Sequence, residues 1–223
     1  MTDSEKKEAA WDLDSVVQSY RHSFARSGDS AAAVQWPRGR QNLRFDALTR
    51  HIHGNSFSVL DFGCGLAHLK DYLSARFESF SYSGVDIVPE FVQACAVKHP
   101  ECSFSLVRSA EDVRGNYDHV LVSGAFNVKY FEDEQAHRAT VRAAIERLFT
   151  ISRVSVAINF MTDRVDYRQP NAFHENPGAV CEFVSAKLSP RLVLDQSYMP
   201  YEFTVTVFKD HEVLRPDNVY REY

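Results

Sequence analysis

An acidic residue, two glycines and a second acidic residue carry the chemistry legible in this chain: Asp61, Gly63, Gly65 and Asp86. The apolar pair Val59 and Leu60 runs straight into Asp61, and the turn Gly63-Cys64-Gly65 follows. Both glycines tolerate positive φ and let backbone approach a ligand with no Cβ between them. A helical pattern through Leu69, Tyr72 and Leu73 comes next, and its first turn aims free N–H groups and a positive dipole end into the same space. That end suits a carboxylate or phosphate. The segment Tyr82-Ser83-Gly84-Val85-Asp86-Ile87 reads as a second short strand ending in a carboxylate, placed to accept two hydrogen bonds from a ribose diol. Two strand ends, a glycine turn and this carboxylate make a nucleoside-binding crevice in an open α/β sheet.

Charge narrows the ligand. A dinucleotide fingerprint carries a third glycine where this chain has His68. Asp61 stands two places before the first glycine, where its charge would repel a pyrophosphate but favour a sulfonium and an α-ammonium. The Asp61-Phe62-Gly63-Cys64-Gly65 turn resembles the first motif of the class I S-adenosylmethionine-dependent methyltransferases. The resemblance implies S-adenosylmethionine as cofactor. It assigns cofactor contacts to Asp61, Gly63, Cys64 and Gly65 in the turn, and to Asp86 and Ile87 at the second strand end. Ala110 and Glu111 fall where the adenine is commonly held, and Ser123 and Ala125 lie in the loop after the fourth strand. A nicotinamide dinucleotide and a glycine turn with no ligand stay open as alternatives.

These residues need a scaffold, and the chain supplies an alternating one. Strands are expected near 57–62, 82–87, 102–107, 117–123 and 153–160, with helices near 67–77, 89–98, 133–150 and 176–188. Arg191-Leu192-Val193-Leu194-Asp195 and Phe203-Thr204-Val205-Thr206-Val207-Phe208 read as two further strands. The gap between them is too short for a parallel crossover, so they pair antiparallel. The expected fold is α/β: a Rossmann-like, doubly wound, seven-stranded sheet, mostly parallel with an antiparallel last strand, preceded by extra N-terminal helices. A parallel sheet closed by such a hairpin is also what the resemblance implies, and a plain dinucleotide fold lacks it.

Ahead of the sheet, Leu13, Val16, Val17, Tyr20 and Phe24 recur at helical spacing, and a second helix is expected from about 41 to 53. Trp36, Gln41, Arg44 and Phe45 have a spacing similar to that of a group of small methyltransferases with a tryptophan-containing N-terminal segment. Asn159-Phe160-Met161-Thr162 and Tyr201-Glu202-Phe203-Thr204 look like that group too. Gln41 and Arg44 share a helix face. Arg44 is a candidate for the methionine carboxylate, which a guanidinium grips with two bonds, and Trp36 is a candidate to cover the cofactor. The chain accordingly divides into an N-terminal helical cap or lid over 1–55, a cofactor-binding domain over 56–210 and a tail over 211–223.

Methyl transfer from a sulfonium asks little of a protein. Holding nucleophile, carbon and sulfur in line is worth up to about 7–11 kcal/mol in intramolecular models, and a base is needed only where the nucleophile must lose a proton. No residue declares itself catalytic. His174, after a Pro-Asn-Ala-Phe loop, is the candidate for a mobile general base, and Phe126, Asn127 and Tyr130 are candidates to line the acceptor pocket. The loop at Ser123–Asn127 lacks the Asn-Pro-Pro-Tyr type of signature used on planar nitrogens, which argues against a nucleic-acid target. The histidines show no ligand pairing on one helix face, so no metal site is expected.

Composition is compatible with this reading. A chain of 223 residues with 44% hydrophobic content can bury a single α/β core. Its formal net charge of -5 gives no global basic field for nucleic acid. No apolar run of about 18 residues suggests a membrane span. Four cysteines without Cys-x-x-Cys spacing point to free thiols and a cytoplasmic location. The expected activity is methyl transfer from S-adenosylmethionine to an oxygen or nitrogen of a small-molecule acceptor. A non-catalytic binding or scaffold protein of the same fold is the alternative, and the oligomeric state is left open.

Overall fold

The computed structural model describes residues 12–35, 40–54, 56–131 and 133–209. A mixed sheet runs in the order β3 (Ser103–Leu106), β2 (Phe80–Asp86), β1 (Phe57–Phe62), β4 (Tyr117–Val122), β5 (Ser152–Thr162), β8 (Glu202–Phe208), β7 (Leu192–Asp195). β1 pairs in parallel with both β2 and β4. β3 flanks β2, and β5 flanks β4, both in parallel. β8 lies antiparallel between β5 and β7. The order reverses between β1 and β4, which opens a crevice at their carboxyl ends.

The strands are apolar on both faces because helices cover both. On one face Leu60, Val120, Val156 and Ile158 pack with Val141, Ile145 and Leu148 of α5 (Glu134–Ile151) and Val180 and Val184 of α6 (Pro177–Lys187). On the other, Val59, Leu121 and Ala157 meet Phe45 and Leu48 of α2 (Gln41–Thr49) and Leu69 and Leu73 of α3 (His68–Ser74). Cys95 of α4 (Pro89–Lys98) joins that second cluster. α1 (Leu13–Ser27) starts on Asp12, which accepts from the Ser15 amide, and packs Tyr20 and Phe24 against Phe91. No helix among the described residues is long and apolar enough to cross a membrane.

Three departures from the sequence expectations have physical causes. An eighth strand, β6 (His174–Glu175), adds to the far end of β5, pairing Met161 with His174 and Thr162 with Glu175. α2 stops at Thr49, whose hydroxyl donates back to the Phe45 carbonyl while its own carbonyl accepts from Ile52 in a tight turn. α3 is a short helix because Ala67 takes left-handed backbone at its start and the Arg76 amide turns back to Leu73 at its end.

Candidate active site

A cleft of about 1150 Å³ opens along the carboxyl ends of the central strands. That volume exceeds what one nucleoside-sized ligand fills. Gly63, Gly65, Asp86 and Ile87 line it from β1 and β2, and Ala110 and Glu111 from the turn after β3. Ser123, Ala125, Phe126, Asn127 and Tyr130 line it from the segment after β4, Arg44 from α2 and His174 from β6. Thus residues singled out on six separate stretches of sequence converge on one space.

The glycine turn is fixed by close approach. A Cβ on Gly63 would stand 2.5 Å from the Ala125 Cβ, and one on Gly65 would stand 2.8 Å from Val34 Cγ1. The amides of Gly63 and Cys64 both donate to the Val85 carbonyl. The Gly65 amide donates to Asp86 Oδ2 at 2.8 Å, and Val88 donates to Asp86 Oδ1 at 2.9 Å. Asp86 therefore clamps the turn as well as facing the cleft. Burial raises its carboxyl above the usual range, against those amide bonds. Each oxygen retains lone-pair capacity for a further donor.

Asp61 and Cys64 do not line the cleft. Strand alternation puts Asp61 on the face of Val59, away from Phe62. There its Oδ2 accepts from Tyr82 Oη at 2.6 Å, while Oδ1 has no partner among the described residues. Burial pushes its carboxyl up to about 7, opposed by the Tyr82 hydrogen bond and reinforced by the Asp86 charge. Cys64 points back under the turn. A Cβ on Gly84 would lie 2.8 Å from its Sγ, and the Cys95 thiol donates to the Gly65 carbonyl at 3.2 Å. The hydrogen bond with the neighbouring Cys95 thiol, then burial, raises the Cys64 thiol. Trp36 lies outside the described residues.

His174 is not on a mobile loop. It sits in β6, 3% exposed, with Nδ1 2.9 Å from the Thr162 carbonyl. The acceptor-side candidates are likewise built in. Phe126 packs against Phe62 and Phe160, and Tyr130 donates to the Ala125 carbonyl at 2.9 Å. The Asn127 side chain donates to Asn159 and accepts from the Met161 amide.

Several cleft residues were not identified from sequence. Tyr20, Val34 and Gln35 close it from the N-terminal segment. Burial, then the Asp86 charge, pushes the Tyr20 phenol up to about 12. Glu202 holds the Arg44 guanidinium, and Asn159 donates to Glu202 Oε2 and to Tyr198 Oη, both at 2.8 Å. The segments around Asn159 and Glu202 stood out in the sequence only for their likeness to a group of methyltransferases, with no role attached to either residue. Among the described residues, no group of three or more His, Cys, Asp or Glu is placed to hold a metal ion.

The donor set fits a cationic nucleoside. The Asp86 charge adds to the cost of ionising Asp61, and a positive ligand group at the switch point relieves that cost while a pyrophosphate aggravates it.

Known proteins bear the same stamp. A Mycobacterium tuberculosis protein named "Putative methyltransferase Rv1506c" is 30% identical over 155 residues, 69% of this chain and 93% of that one. Magnesium protoporphyrin IX methyltransferase from Synechocystis PCC 6803, solved with S-adenosylhomocysteine, superposes with a TM-score of 0.62 at 14% identity, covering 86% of this chain and 94% of its own. The Burkholderia thailandensis 1,6-didemethyltoxoflavin-N1-methyltransferase gives 0.62 at 15% identity over 88% of each chain. No family model matches the chain. The chain belongs to the class I S-adenosylmethionine-dependent methyltransferases. It is thus an enzyme class with S-adenosylmethionine as cofactor.

Proposed function

We propose that the protein transfers a methyl group from S-adenosylmethionine to an oxygen or nitrogen of a small-molecule acceptor. The observation that carries the reading is the Asp86 carboxylate at the β2 end, clamped to the glycine turn and facing a cleft larger than the cofactor needs. The cofactor supplies an electrophilic methyl on a sulfonium. Asp86 would hold the ribose diol, with Ile87, Ala110 and Glu111 around the base. Gly63, Gly65, Ser123 and Ala125 would cradle the chain that joins ribose to amino acid. Arg44 would meet the carboxylate, oriented by Glu202. Asp61 would act from behind the turn, through its field rather than by contact. Tyr20 and Val34 exclude water from that half.

The other half of the cleft, between β5, β6 and the β7–β8 hairpin, would hold the acceptor. Such an arrangement speeds transfer mainly by alignment. The solved neighbours include a magnesium protoporphyrin IX methyltransferase and a 1,6-didemethyltoxoflavin-N1-methyltransferase, which supports a small acceptor here. Four free cysteines suit a reducing cytoplasm. The test is a metabolite screen with labelled S-adenosylmethionine, read as S-adenosylhomocysteine formation. Turnover with any small metabolite supports the reading. Binding of NAD in preference to S-adenosylhomocysteine would sink it.

A further inference from the structure

His174 has a defined tautomer. Its Nδ1 lies 2.9 Å from the Thr162 carbonyl. A carbonyl only accepts, so Nδ1 carries the proton and the neutral ring presents a bare lone pair at Nε2. Nε2 is buried and has no hydrogen-bond partner among the described residues. The residue lines the cleft. A desolvated acceptor left unpaired is costly, so this geometry suits a ligand that brings a donor.

The surroundings describe that ligand. The cleft is lined by Met161 and Met199, by Tyr167 and Tyr201 from the segments that follow β5 and precede β8, and by Phe131 from the segment before α5. Phe131, Tyr167 and Tyr201 are 44%, 72% and 56% exposed, so their rings are open to a ligand in the cleft. Thioethers and rings favour a flat π-system. Asp166 is the exposed charge nearest in sequence on this lining, and it disfavours an anion.

We infer that His174 is the catalytic base for a neutral, flat aromatic acceptor bearing a hydroxyl, which docks between the methionines and the exposed rings. The inference rests on the methyltransferase reading and narrows it to oxygen. The acceptor O–H bond breaks and its proton goes to Nε2. The freed oxygen electron pair forms the bond to the methyl carbon. The electrons of the C–S bond stay on sulfur, leaving a neutral thioether. The imidazolium then returns its proton to water. An amine would bring its own lone pair and need no such base.

The probe is umbelliferone, a flat phenol whose neutral and ionised forms absorb differently, with its methyl ether as control. Both are titrated into the full chain saturated with S-adenosylhomocysteine. The wild type should bind umbelliferone and shift it toward the ionised spectrum. His174→Ala should bind S-adenosylhomocysteine as before, lose about tenfold in umbelliferone affinity, lose the spectral shift, and keep its affinity for the methyl ether. Nitrogen NMR of the wild-type imidazole should show the proton on Nδ1, a measurement that needs no variant. Umbelliferone that fails to bind, binding equal in wild type and His174→Ala, or a proton on Nε2 each overturns the inference. Failure of S-adenosylhomocysteine to bind the wild type is a different result and strikes the methyltransferase reading itself.

Discussion

Arg44 and Glu202, 158 positions apart in sequence, form a two-bonded ion pair at the wall of the cleft: Nε donates to Oε2 at 3.0 Å and Nη2 to Oε1 at 2.6 Å. The two side chains are 8% and 7% exposed. The pair ties α2, outside the sheet, to the hairpin strand β8. Removing one partner of a buried pair strands the other charge, at a cost of about 3–5 kcal/mol. Glu202→Leu should therefore lower the unfolding free energy by that order in urea titrations. Arg44→Met combined with Glu202→Leu should recover most of it, because no charge is left stranded. Cofactor affinity should stay low in the double variant. If it returns with stability, the pair is a fold device and Arg44 does not hold the carboxylate.

The Arg44 guanidinium also packs on the loop after β4. A Cβ on Gly124 would stand 2.5 Å from Arg44 Nη1, and Gly124 has φ +79. Gly54 has φ +94 with nothing within 4 Å. Alanine at either position meets the left-handed backbone cost, about 1–2 kcal/mol. Only Gly124→Ala must also displace Arg44. The expected outcome is similar loss of thermal stability from Gly54→Ala with unchanged S-adenosylhomocysteine binding. Gly124→Ala should lose affinity for S-adenosylhomocysteine while binding methylthioadenosine, which lacks the carboxylate, as the wild type does. Equal losses for both ligands would place the defect in the loop.

Asp86 has two duties. Its oxygens accept the Gly65 and Val88 amides, and it faces the cleft. Asp86→Ala should weaken S-adenosylhomocysteine by roughly 10- to 150-fold, the equivalent of about 1.5–3 kcal/mol for hydrogen bonds to a charged group. It should also lower the melting temperature, because the turn loses its clamp. Calorimetry and thermal melts separate the two effects. An affinity unchanged by the substitution removes Asp86 from the ribose.

The sheet was legible because its signals are local. β1 carries an apolar run that ends where a glycine must begin, and its bounds at Phe57–Phe62 coincide with the expectation. α4 starts where Pro89 occupies its first turn and ends at Lys98, as expected. The reversal of β8 followed from a gap too short for a crossover. β6 was not legible, since two residues carry no periodicity, and with it went the placement of His174. The Arg44–Glu202 pair was not legible because sequence separation hides partners. The position of Asp61 could have been read: alternation puts it on the Val59 face, with Phe62 on the other.

Asp61 gives the protein a pH signature. Its carboxyl is pushed from 3.8 up to about 7 in the folded chain. The fold thus holds this proton more tightly than the unfolded chain does. Its contribution to stability is whole below the unfolded value of 3.8 and is lost as pH rises through about 7. Asp61→Asn should flatten that part of the stability profile in denaturant titrations across the range. His119 acts in the opposite sense, since burial lowers it from 6.5 to about 4. Its contribution is present above 6.5 and is lost as pH falls through about 4. A profile of Asp61→Asn identical to wild type would show that the Asp61 carboxyl titrates alike in the folded and unfolded chain.

Tyr20 of the N-terminal helix lines the cleft, and the anchoring of that helix can be tested apart from the proposed covering of the cofactor. Phe24 packs edge-on against Phe91 with ring centroids 5.5 Å apart, and Tyr20 does the same at 6.0 Å. Arg21 adds a bond to Glu90 of α4. Tyr20 lines the cleft, whereas Phe24 does not. Removing either ring should lower stability by up to about 1.5–3 kcal/mol, the worth of burying a large apolar side chain. Tyr20→Ala should in addition speed release of S-adenosylhomocysteine about tenfold or more in stopped-flow measurements, as expected when a covering group is lost. Tyr20→Phe should restore stability and most of the slow release, because it keeps the ring that covers the site. If Phe24→Ala speeds release as much as Tyr20→Ala, the effect comes from undocking α1 as a whole. If neither does, α1 stabilises the fold without gating the cofactor.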